Sequence, residues 1–586
     1  MVSNNFIRNI ALIVCILGSL YGCGSTGSDH KIHVTDSATS DYQGDTGSIS
    51  YNIRTGDTSQ PSLSNDTSSE SDVIGNNSIK VHYLNESGTV NSQVFGSALE
   101  GWDYDLIENK GSIPSPARTN YGMGVWNPAS GETVNEVISL AKEAGLSAMR
   151  FTTTNFYEWK MAISKERTQF LFGIDEFLRA TAEIGAMPIF TIGYMLDDPQ
   201  DAADLVEYLN APNDGSHLWA AKRYENGHAA PYGAKYFEIG NETAGKTTAA
   251  EYALRYLEYY DAMKSVDPSV QIGISLIASS WWDQKVLELI RDKVDFGIIH
   301  IYPKPPGFLM LDERIKTIDP SDLFCLSLAT TTLIYEVEIQ RTLQLLKNYS
   351  SKNVPLVVSE HNGGFGDNDP VRYRHTLGTA LINAELLRIF MKPENNILMA
   401  NNHTFINGHW GMIRSEDNFM THNYQYPVTY IKRPNYYVYE IYKNYFGQIL
   451  IKSDTMSASY NITENKSYAD TMGRFLYSTD TNVPYLSVNS SKSSDGSAVY
   501  LIVLNKSIDK FMRSSIQLLD LPAEWTSGTT SLNISTHVLN GAHMAADNES
   551  YAYNVQLSHN NIIVNETSFE LIFEPHSLTA IEIRSQ

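Results

Sequence analysis

At 586 residues the chain is too long for a single compact core, so we expect two domains accompanied by tails. The formal net charge of −23 at pH 7 argues against phosphate backbones and anionic lipid surfaces as partners, because both would repel the chain. Aromatic residues make up 11% of the chain, and such an acidic, aromatic-rich protein is better suited to binding neutral sugars than nucleic acid.

The N-terminus carries a short apolar run behind a positive charge. Arg8 precedes the run from Ile10 to Leu20, which is too short to span a bilayer and fits the apolar region of a signal peptide. The run ends in Leu-Tyr-Gly-Cys, which resembles a bacterial lipoprotein signal and predicts lipid attachment at Cys23. The alternative is an ordinary secretory signal with an incidental cysteine. The lipoprotein interpretation predicts anchoring in the cell envelope, at the outer membrane, the cell surface or the periplasmic face.

The three cysteines leave no pair for a disulfide. Cys15 is removed with the predicted signal peptide and Cys23 carries the predicted lipid, so Cys325 is left alone. The sequence therefore predicts no intrachain disulfide and no zinc site built from Cys and His. We expect no metal and no organic cofactor.

Changes in composition divide the chain into regions. We predict a signal peptide over residues 1–22, a flexible tether rich in Ser, Thr and Asp over residues 23–75, a catalytic barrel over residues 76–445 and a C-terminal β-sandwich over residues 446–586. Ile79, Val81 and Tyr83 alternate with polar residues, as in a half-buried strand. Since this strand lies outside the barrel, residues 76–90 are a candidate strand of the sandwich.

The predicted fold class is α/β plus all-β: a (β/α)8 TIM barrel with a C-terminal antiparallel β-sandwich domain. Helical spacing of apolar residues alternates with short apolar runs in eight βα-like units. The predicted barrel strands are Val94 to Gly96, Leu146 to Phe151, Pro188 to Ile192, Tyr236 to Ile239, Ile272 to Leu276, Val294 to Ile301, Pro355 to Ser359, and Ile397 to Ala400.

Two glutamates follow predicted strands at the end of the barrel that carries active sites. Glu242 follows strand four in KYFEIGNE, and Glu360 follows strand seven in PLVVSE. A retaining glycosidase needs one carboxylate as nucleophile and another as acid and then base, about 5 Å apart. We predict Glu242 as the acid/base and Glu360 as the nucleophile, with Asn241 placed to donate a hydrogen bond to a sugar hydroxyl. Either glutamate alone would be read as a solvated loop residue.

Four motifs occur in an order and at a spacing typical of one enzyme family. They are Asn226-Gly227-His228 leading into KYFEIGNE, the helix segment Phe172 to Leu178, the stretch Met263 to Ser269, and Pro575-His576-Ser577. Together they resemble glycoside hydrolase family 51, the α-L-arabinofuranosidase family of a clan with catalytic glutamates at strands four and seven. The resemblance runs from about Gly88 to the C-terminus and implies a retaining arabinofuranosidase.

The resemblance also implies roles for residues at the barrel mouth. Glu100 matches a glutamate that binds the sugar in the −1 subsite, and Asn155 matches a residue in a loop that lines the same subsite. Tyr302 matches a tyrosine that hydrogen-bonds the nucleophile, and His300 would pack beside it. The structural alternatives are a surface loop for Glu100, a turn for Asn155 and simple core packing for His300.

Five tryptophans are candidate stacking platforms for sugar rings, although burial in the core is the commoner role of this residue type. They are Trp126, Trp159, Trp281, Trp282 and Trp410.

Three places at the predicted mouth depart from the family pattern. Thr152-Thr153-Thr154 stands where the family usually has Pro-Gly-Gly, and His361-Asn362 stands after Glu360 where it commonly has Trp-Asn. Near Thr404 the family often carries a sugar-binding glutamine. These departures leave the retaining mechanism intact, but they bear on the preference for arabinofuranose.

We therefore predict a lipid-anchored retaining glycoside hydrolase that acts on plant or algal polysaccharides or oligosaccharides. Release of α-L-arabinofuranosyl groups is the leading activity. The first alternative is another exo-glycosidase or an endo-acting glycanase of the same clan, acting on xylan, β-glucan or algal galactan. The second is a non-catalytic glycan-binding lipoprotein. The sequence does not determine the oligomeric state.

Overall fold

The computed structural model describes residues 72–100, 122–152, 159–163, 171–278, 280–366, 369–408, 410–415, 429–462, 482–526, 531–549 and 551–585. Residues 72–586 form one compact unit. Within the described ranges, no helix is both long and apolar enough to cross a lipid bilayer. The predicted signal peptide, Cys23, most of the predicted tether and Asn155 lie outside the described residues.

The secondary structure follows the predicted change from α/β to all-β. The strands in the described ranges are β1 (Val73–Thr89), β2 (Gly96–Ala98), β3 (Trp126–Asn127), β4 (Glu132–Thr133), β5 (Ala148–Phe151), β6 (Met187–Ile192), β7 (Tyr236–Ile239), β8 (Gln271–Ser275), β9 (Phe296–Ile301), β10 (Leu356–His361), β11 (Ile397–Asn402), β12 (Ile413–Ser415), β13 (Tyr430–Lys432), β14 (Ile449–Met456), β15 (Ser459–Asn461), β16 (Asn482–Pro484), β17 (Leu486–Lys492), β18 (Ala498–Asn505), β19 (Phe511–Leu519), β20 (Leu532–Asn540), β21 (Gln556–Val564), β22 (Ser568–Phe573) and β23 (Ser577–Ser585). The α-helices there are α1 (Asn135–Glu143), α2 (Ile174–Ile184), α3 (Pro199–Asn210), α4 (Leu218–Glu225), α5 (Ala249–Val266), α6 (Trp281–Ile290), α7 (Pro320–Thr330), α8 (Glu336–Tyr349), α9 (Leu377–Phe390), α10 (Pro434–Asn444) and α11 (Ala523–Thr526).

Strands β2, β5, β6, β7, β8, β9, β10 and β11 close into a parallel barrel in that order, so the predicted TIM barrel is confirmed. The first barrel strand begins later than predicted, because Ser92–Val94 form a 3-10 turn in which the Asn91 side chain caps the backbone. Strands β7 and β10, the fourth and seventh of the barrel, are three positions apart rather than opposite each other. Their carboxyl ends therefore lie on the same side of the barrel mouth.

Helix α2 illustrates how local signals in the sequence set the helix boundaries. The Glu176 carboxylate accepts a hydrogen bond from the Gly173 backbone N–H at 2.8 Å, which caps the first turn. Gly185 ends the helix with φ +85°, a conformation that glycine adopts without strain. Between these ends, Ile174 and Phe177 are fully buried against the barrel.

The interior of the barrel is apolar at one end and polar and charged at the other. Ala148, Ile189, Ile298, Val357 and Met399 belong to one buried apolar cluster inside it. Because side chains two residues apart in a strand share a face, the next inward positions toward the carboxyl ends include polar and charged side chains, namely those of Arg150, Thr191, His300 and Ser359. A charged layer thus lies above an apolar floor, at the end of the barrel where active sites occur.

The C-terminal strands form a nine-stranded sheet in the order β21-β20-β23-β18-β17-β14-β1-β19-β22. This sheet wraps around its own apolar core, which includes Ile79, Val81, Leu501, Ile516 and Ile581. Strand β1, which precedes the barrel in the sequence, lies between β14 and β19. Its pairing with β19 is parallel, whereas the other pairings in this sheet are antiparallel.

A largely buried ionic network joins α9, the helix that follows β10 in the sequence, to the C-terminal sheet. Glu385 of α9 accepts two hydrogen bonds of 2.9 Å from Arg388 and one of 3.2 Å from Ser487 in β17. Lys506, just after β18, donates to Ser487 at 2.8 Å and lies 3.8 Å from Glu385. Burial alone would raise the pKa of Glu385, but the charges of Arg388 and Lys506 outweigh it and lower the pKa to about 2.

We expect Glu385→Gln to lower the free energy of unfolding by about 3–5 kcal/mol at pH 7, because it removes the negative charge that pairs with the buried Lys506 and with Arg388. The carboxylate stabilises the fold fully above its ordinary pKa of 4.5, and this contribution is lost as pH falls through about 2. The difference between wild type and variant should therefore narrow as the pH is lowered from 4.5 toward 2. Urea unfolding at several pH values measures it, and a difference independent of pH over this range would contradict the assignment.

Candidate active site

Glu242 stands on a tight turn directly after β7. Gly240 has φ +79°, and a Cβ at this position would lie 2.4 Å from Cγ2 of Thr243 and 3.0 Å from Cβ of Tyr194, so only glycine fits. Glu242 itself has φ +48°, in the left-handed region that non-glycine residues seldom adopt. Its side chain remains 51% exposed at the barrel mouth. The turn thus directs an accessible carboxylate to the site where a substrate would bind.

Glu360 lies at the carboxyl end of β10 and is held from two sides. Its side chain is only 10% exposed. The Tyr302 hydroxyl donates to Oε2 at 2.6 Å, and Nη1 of Arg150 donates to Oε1 at 2.6 Å. Both carboxylate oxygens are therefore oriented by fixed donors.

His300, on β9, lies between the two glutamates. Its Nδ1 is 3.1 Å from Oε1 of Glu242 and 3.5 Å from Oε2 of Glu360, while Nε2 is 3.1 Å from the Ser359 hydroxyl. One oxygen of Glu242 lies within 4.8 Å of one oxygen of Glu360. This separation fits retaining glycosidases, whereas inverting enzymes need about 6.5–9.5 Å to accommodate a water molecule.

The electrostatics of the site keep Glu360 ionised. Burial alone would raise its pKa, but the positive charges of His300 and Arg150, with the Tyr302 hydrogen bond, hold the pKa of Glu360 well below its usual range. Burial lowers the pKa of His403 to about 4, so this imidazole is neutral near pH 7. Burial alone would lower the pKa of His300, but the neighbouring carboxylates Glu360 and Glu242 outweigh this effect and raise it.

Other side chains form the walls of the mouth. Glu100 is fully buried and accepts a hydrogen bond from the Thr152 hydroxyl. His403 is 5.3 Å from Trp410 between ring centroids, and the Tyr302 ring lies 6.0 Å from Trp410. A tryptophan on this wall is thus held beside the tyrosine that contacts Glu360.

The structure brings most of the predicted site residues together. Glu242, Glu360, His300, Tyr302 and Asn241 are linked by hydrogen bonds, directly or through Arg150. Asn241 uses its carbonyl oxygen to accept from Nη2 of Arg150 at 2.7 Å. Glu100 is fully buried beside Thr152, and Asn155 lies outside the described residues.

The five candidate tryptophans differ in solvent exposure and in their distance from the catalytic candidates. Trp126, Trp159 and Trp282 are buried, Trp281 is 69% exposed at the start of α6, and Trp410 is half-buried at the mouth. Core packing therefore explains the first three, and Trp410 is the one placed beside the catalytic candidates.

Sequence reasoning missed two charged side chains in the barrel interior, Arg150 and Glu238. Both are fully buried, and Nε of Arg150 donates to Oε1 of Glu238 at 2.5 Å. The available signal was a charge within each of two short apolar strands, AMRF and YFEI. Such charges are seldom buried unless they are paired.

Glu242, His300 and Glu360 are also the group of residues in the described ranges whose donor atoms are close enough to hold a metal ion. Two carboxylates and an imidazole are donors that a divalent cation accepts. The same atoms already take part in the hydrogen-bond network that links these three residues.

We expect Tyr302→Phe to lower kcat by about 10- to 100-fold, because it removes a hydrogen bond to an ionised group. Since the hydroxyl lowers the pKa of Glu360, its loss should also move the acid limb of the pH profile to higher pH. The control is Tyr256→Phe, which removes another buried hydroxyl, bonded to the Ile272 carbonyl. Equal kcat and pH profiles for both variants and wild type would show that Tyr302 does not act on Glu360.

Comparisons with known proteins agree with this geometry. The family model described as "Alpha-L-arabinofuranosidase 1 domain" matches residues 129–319, a span that includes Glu242 and His300 and ends before Glu360. The chain is 29% identical over 252 residues to the "Intracellular exo-alpha-(1->5)-L-arabinofuranosidase" of Streptomyces lividans, covering 37% of this chain and 36% of that protein. It is 24% identical over 519 residues to "Probable alpha-L-arabinofuranosidase C" of Aspergillus niger, covering 79% of this chain and 91% of that protein.

The comparisons support a glycoside hydrolase of the arabinofuranosidase type. The fold of this arabinofuranosidase-like chain is also similar to the family 51 α-L-arabinofuranosidase structure from Thermotoga petrophila RKU-1. The TM-score is 0.68 at 22% sequence identity, over 86% of this chain and 100% of the other. At this identity the likeness shows a shared fold.

Proposed function

We propose that this chain is a retaining glycoside hydrolase that releases α-L-arabinofuranosyl groups from plant or algal polysaccharides or their oligosaccharides. The observation that carries the proposal is the approach of Glu242 and Glu360 to within 4.8 Å, at the ends of the fourth and seventh barrel strands. Similarity to arabinofuranosidases supports the choice of sugar.

In the first step, a carboxylate oxygen of Glu360 attacks the anomeric carbon of the bound sugar. The bond from this carbon to the leaving oxygen breaks, and protonated Glu242 gives its proton to that oxygen. The product is an ester between Glu360 and the sugar. Glu360 suits this role because it is nearly buried, ionised and held by Tyr302 and Arg150.

In the second step, Glu242 takes a proton from water as the water oxygen attacks the anomeric carbon. The ester bond breaks, Glu360 returns as a carboxylate, and Glu242 is protonated again for the next cycle. Two displacements at one carbon give overall retention of configuration. Glu242 suits the role of acid and base because its side chain is 51% exposed and water can reach it.

Hydrolysis of a panel of aryl glycosides tests the proposal. The soluble form should begin at residue 72, because β1 starts at Val73 and a cut at Gly75 would remove its first residues. Release of nitrophenol from 4-nitrophenyl α-L-arabinofuranoside, with the α-anomer of arabinose as first product by NMR, is the expected result. Inversion of configuration would overturn the retaining mechanism, and hydrolysis of a different aryl glycoside would overturn the choice of sugar.

Polysaccharide digestion distinguishes exo from endo action. Arabinan, xylan, β-glucan and an algal galactan would each be incubated with the enzyme, and the products separated by size. Free arabinose without a fall in polymer length is expected, whereas early internal cleavage would favour the endo-acting alternative. Binding to a polymer without any product, unchanged in Glu242→Ala, would favour a non-catalytic glycan-binding protein.

We further propose that the chain is attached to the cell envelope by lipid on Cys23. The support is the apolar run from Ile10 to Leu20 ending in Leu-Tyr-Gly-Cys. We expect the full-length chain, produced in a bacterium, to incorporate labelled palmitate and to partition with membranes. Cys23→Ala should lose both properties, while the control Cys15→Ala should retain them. Equal labelling of all three proteins would overturn the assignment.

A further inference from the structure

Glu238 is a second carboxylate close to the catalytic candidates, but it is placed differently from them. It lies within β7, four residues before Glu242, and is fully buried. Glu242 is half exposed at the mouth, whereas no part of Glu238 is open to solvent. Substrate therefore has no access to Glu238, and any effect on the reaction must pass through a neighbour.

That neighbour is Arg150, whose guanidinium lies against one oxygen of Glu238. Nε and Nη2 of Arg150 are each 2.5 Å from Oε1, and the Thr191 hydroxyl donates to the same atom. The other contacts of the guanidinium reach the active site: Nη1 donates to Glu360 at 2.6 Å and Nη2 to Asn241 at 2.7 Å. Because a guanidinium is planar and rigid, fixing one edge on Glu238 also fixes the direction of the other bonds.

Glu238 also changes the charge that Glu360 experiences. Burial alone would lower the pKa of Arg150, but Glu238, Glu360 and Glu100 together outweigh it and raise that pKa, so the guanidinium stays charged. Its single positive charge is shared among these carboxylates. Without Glu238, more of that charge would stabilise the free carboxylate of Glu360.

We propose that Glu238 is a positioning residue that acts through Arg150 to orient Glu360 and to set how readily its carboxylate attacks the sugar and leaves it. This inference rests on the proposed retaining mechanism. It has a distinctive consequence, because the Glu360–sugar bond forms in the first step and breaks in the second. A more stabilised Glu360 carboxylate attacks more slowly and departs faster.

The test is Glu238→Gln, which keeps the size and a carbonyl oxygen for Arg150 but removes the charge. With an unactivated oligosaccharide, where formation of the ester limits the rate, we expect kcat to fall by about tenfold with little change in KM. With a dinitrophenyl glycoside, where breakdown of the ester limits the rate, kcat should be unchanged or higher. An equal fall with both substrates, or no change with either, would overturn the inference.

One further variant changes the position of the carboxylate while keeping its charge, and a second serves as a control. Glu238→Asp keeps the charge but is one methylene shorter, so Arg150 is displaced, and we expect both steps to slow. Asp295→Asn is the matched control, since this side chain is 9% exposed and paired with Lys264 at 2.9 Å, at the opposite end of the barrel. The control should leave the rates with both substrates unchanged. Wild-type kcat for Glu238→Asp would overturn the positioning role even if Glu238→Gln failed to fold.

A thermal double-mutant cycle tests the link to Arg150 without any turnover. In wild type, Glu238→Gln removes one of the two carboxylates paired with the buried Arg150 and should lower Tm. In an Arg150→Met background, Glu238 is a buried carboxylate without its cation, so the same change should raise Tm. The same Tm change in both backgrounds would overturn the inference. If wild type hydrolyses no glycoside, the proposed function fails while this cycle still decides whether Glu238 acts through Arg150.

Discussion

Replacing Glu360 by alanine is expected to abolish hydrolysis, with kcat on an aryl arabinofuranoside lowered at least about ten-thousandfold. The substitution removes the atom that bonds to the anomeric carbon. It also leaves Arg150 and the Tyr302 hydroxyl without the oxygens that they contact at 2.6 Å. Water in the space left by the side chain is a poor substitute, because no base remains on that face of the sugar to take its proton.

Sodium azide supplies a matched rescue for Glu360→Ala. A small anion can occupy the space left by the carboxylate and attack the activated sugar once, so activity on a dinitrophenyl glycoside should return in part. The product should be a glycosyl azide of inverted configuration. More than about one per cent of wild-type activity without azide, well above the loss expected for a nucleophile, would contradict the assignment. So would an azide product of retained configuration.

The second large effect is expected for Glu242→Ala, and it should depend on the leaving group. With a sugar leaving group, which needs a proton, kcat should fall by about 10² to 10⁴-fold, the usual range for a general acid. With dinitrophenolate, which leaves without a proton, the first step should proceed and the ester on Glu360 should accumulate. Mass spectrometry of the intact protein would then detect one added pentosyl group.

Azide also distinguishes Glu242→Ala from Glu360→Ala. In Glu242→Ala the ester still forms, and azide attacks it from the side where water would have attacked. The azide product should therefore have retained configuration, opposite to the product from Glu360→Ala. A loss of activity independent of the leaving group would show that Glu242 is not the acid.

The catalytic candidates could be predicted from sequence because their signals are local. A glycine before Asn241-Glu242 marks a sharp turn at a strand end, and PLVVS before Glu360 marks a buried strand. The contact between Arg150 and Glu238 could not be predicted, since these residues become neighbours only when β5, β6 and β7 assemble side by side. A charge inside an apolar strand signals a partner without saying which residue it is.

The same distinction applies to the fold. The (β/α)8 order follows from alternating periods, but α7 shows no clear helical period, because apolar residues lie nearly all round it, among them Leu323, Phe324 and Leu328. In α10 the tyrosines obscure the apolar period, so the sequence pattern does not mark this helix. The sequences of β1 and β19 do not indicate that the two strands pair in parallel. Apolar and polar residues alternate along a half-buried strand whether its neighbour is parallel or antiparallel.

The position of β1 in the interior of the C-terminal sheet has a consequence for how the chain is made. Asn77 in β1 donates a hydrogen bond to the Arg513 carbonyl, 436 residues later in the chain. Contacts between residues so far apart in the sequence form slowly, because closing the long loop between them costs conformational entropy. During synthesis, β1 is released early and must wait, with its edges unpaired, until β14 and β19 leave the ribosome. Exposed strand edges of this kind promote aggregation, so a barrel expressed without the last 140 or so residues should be poorly soluble even though its own strands close.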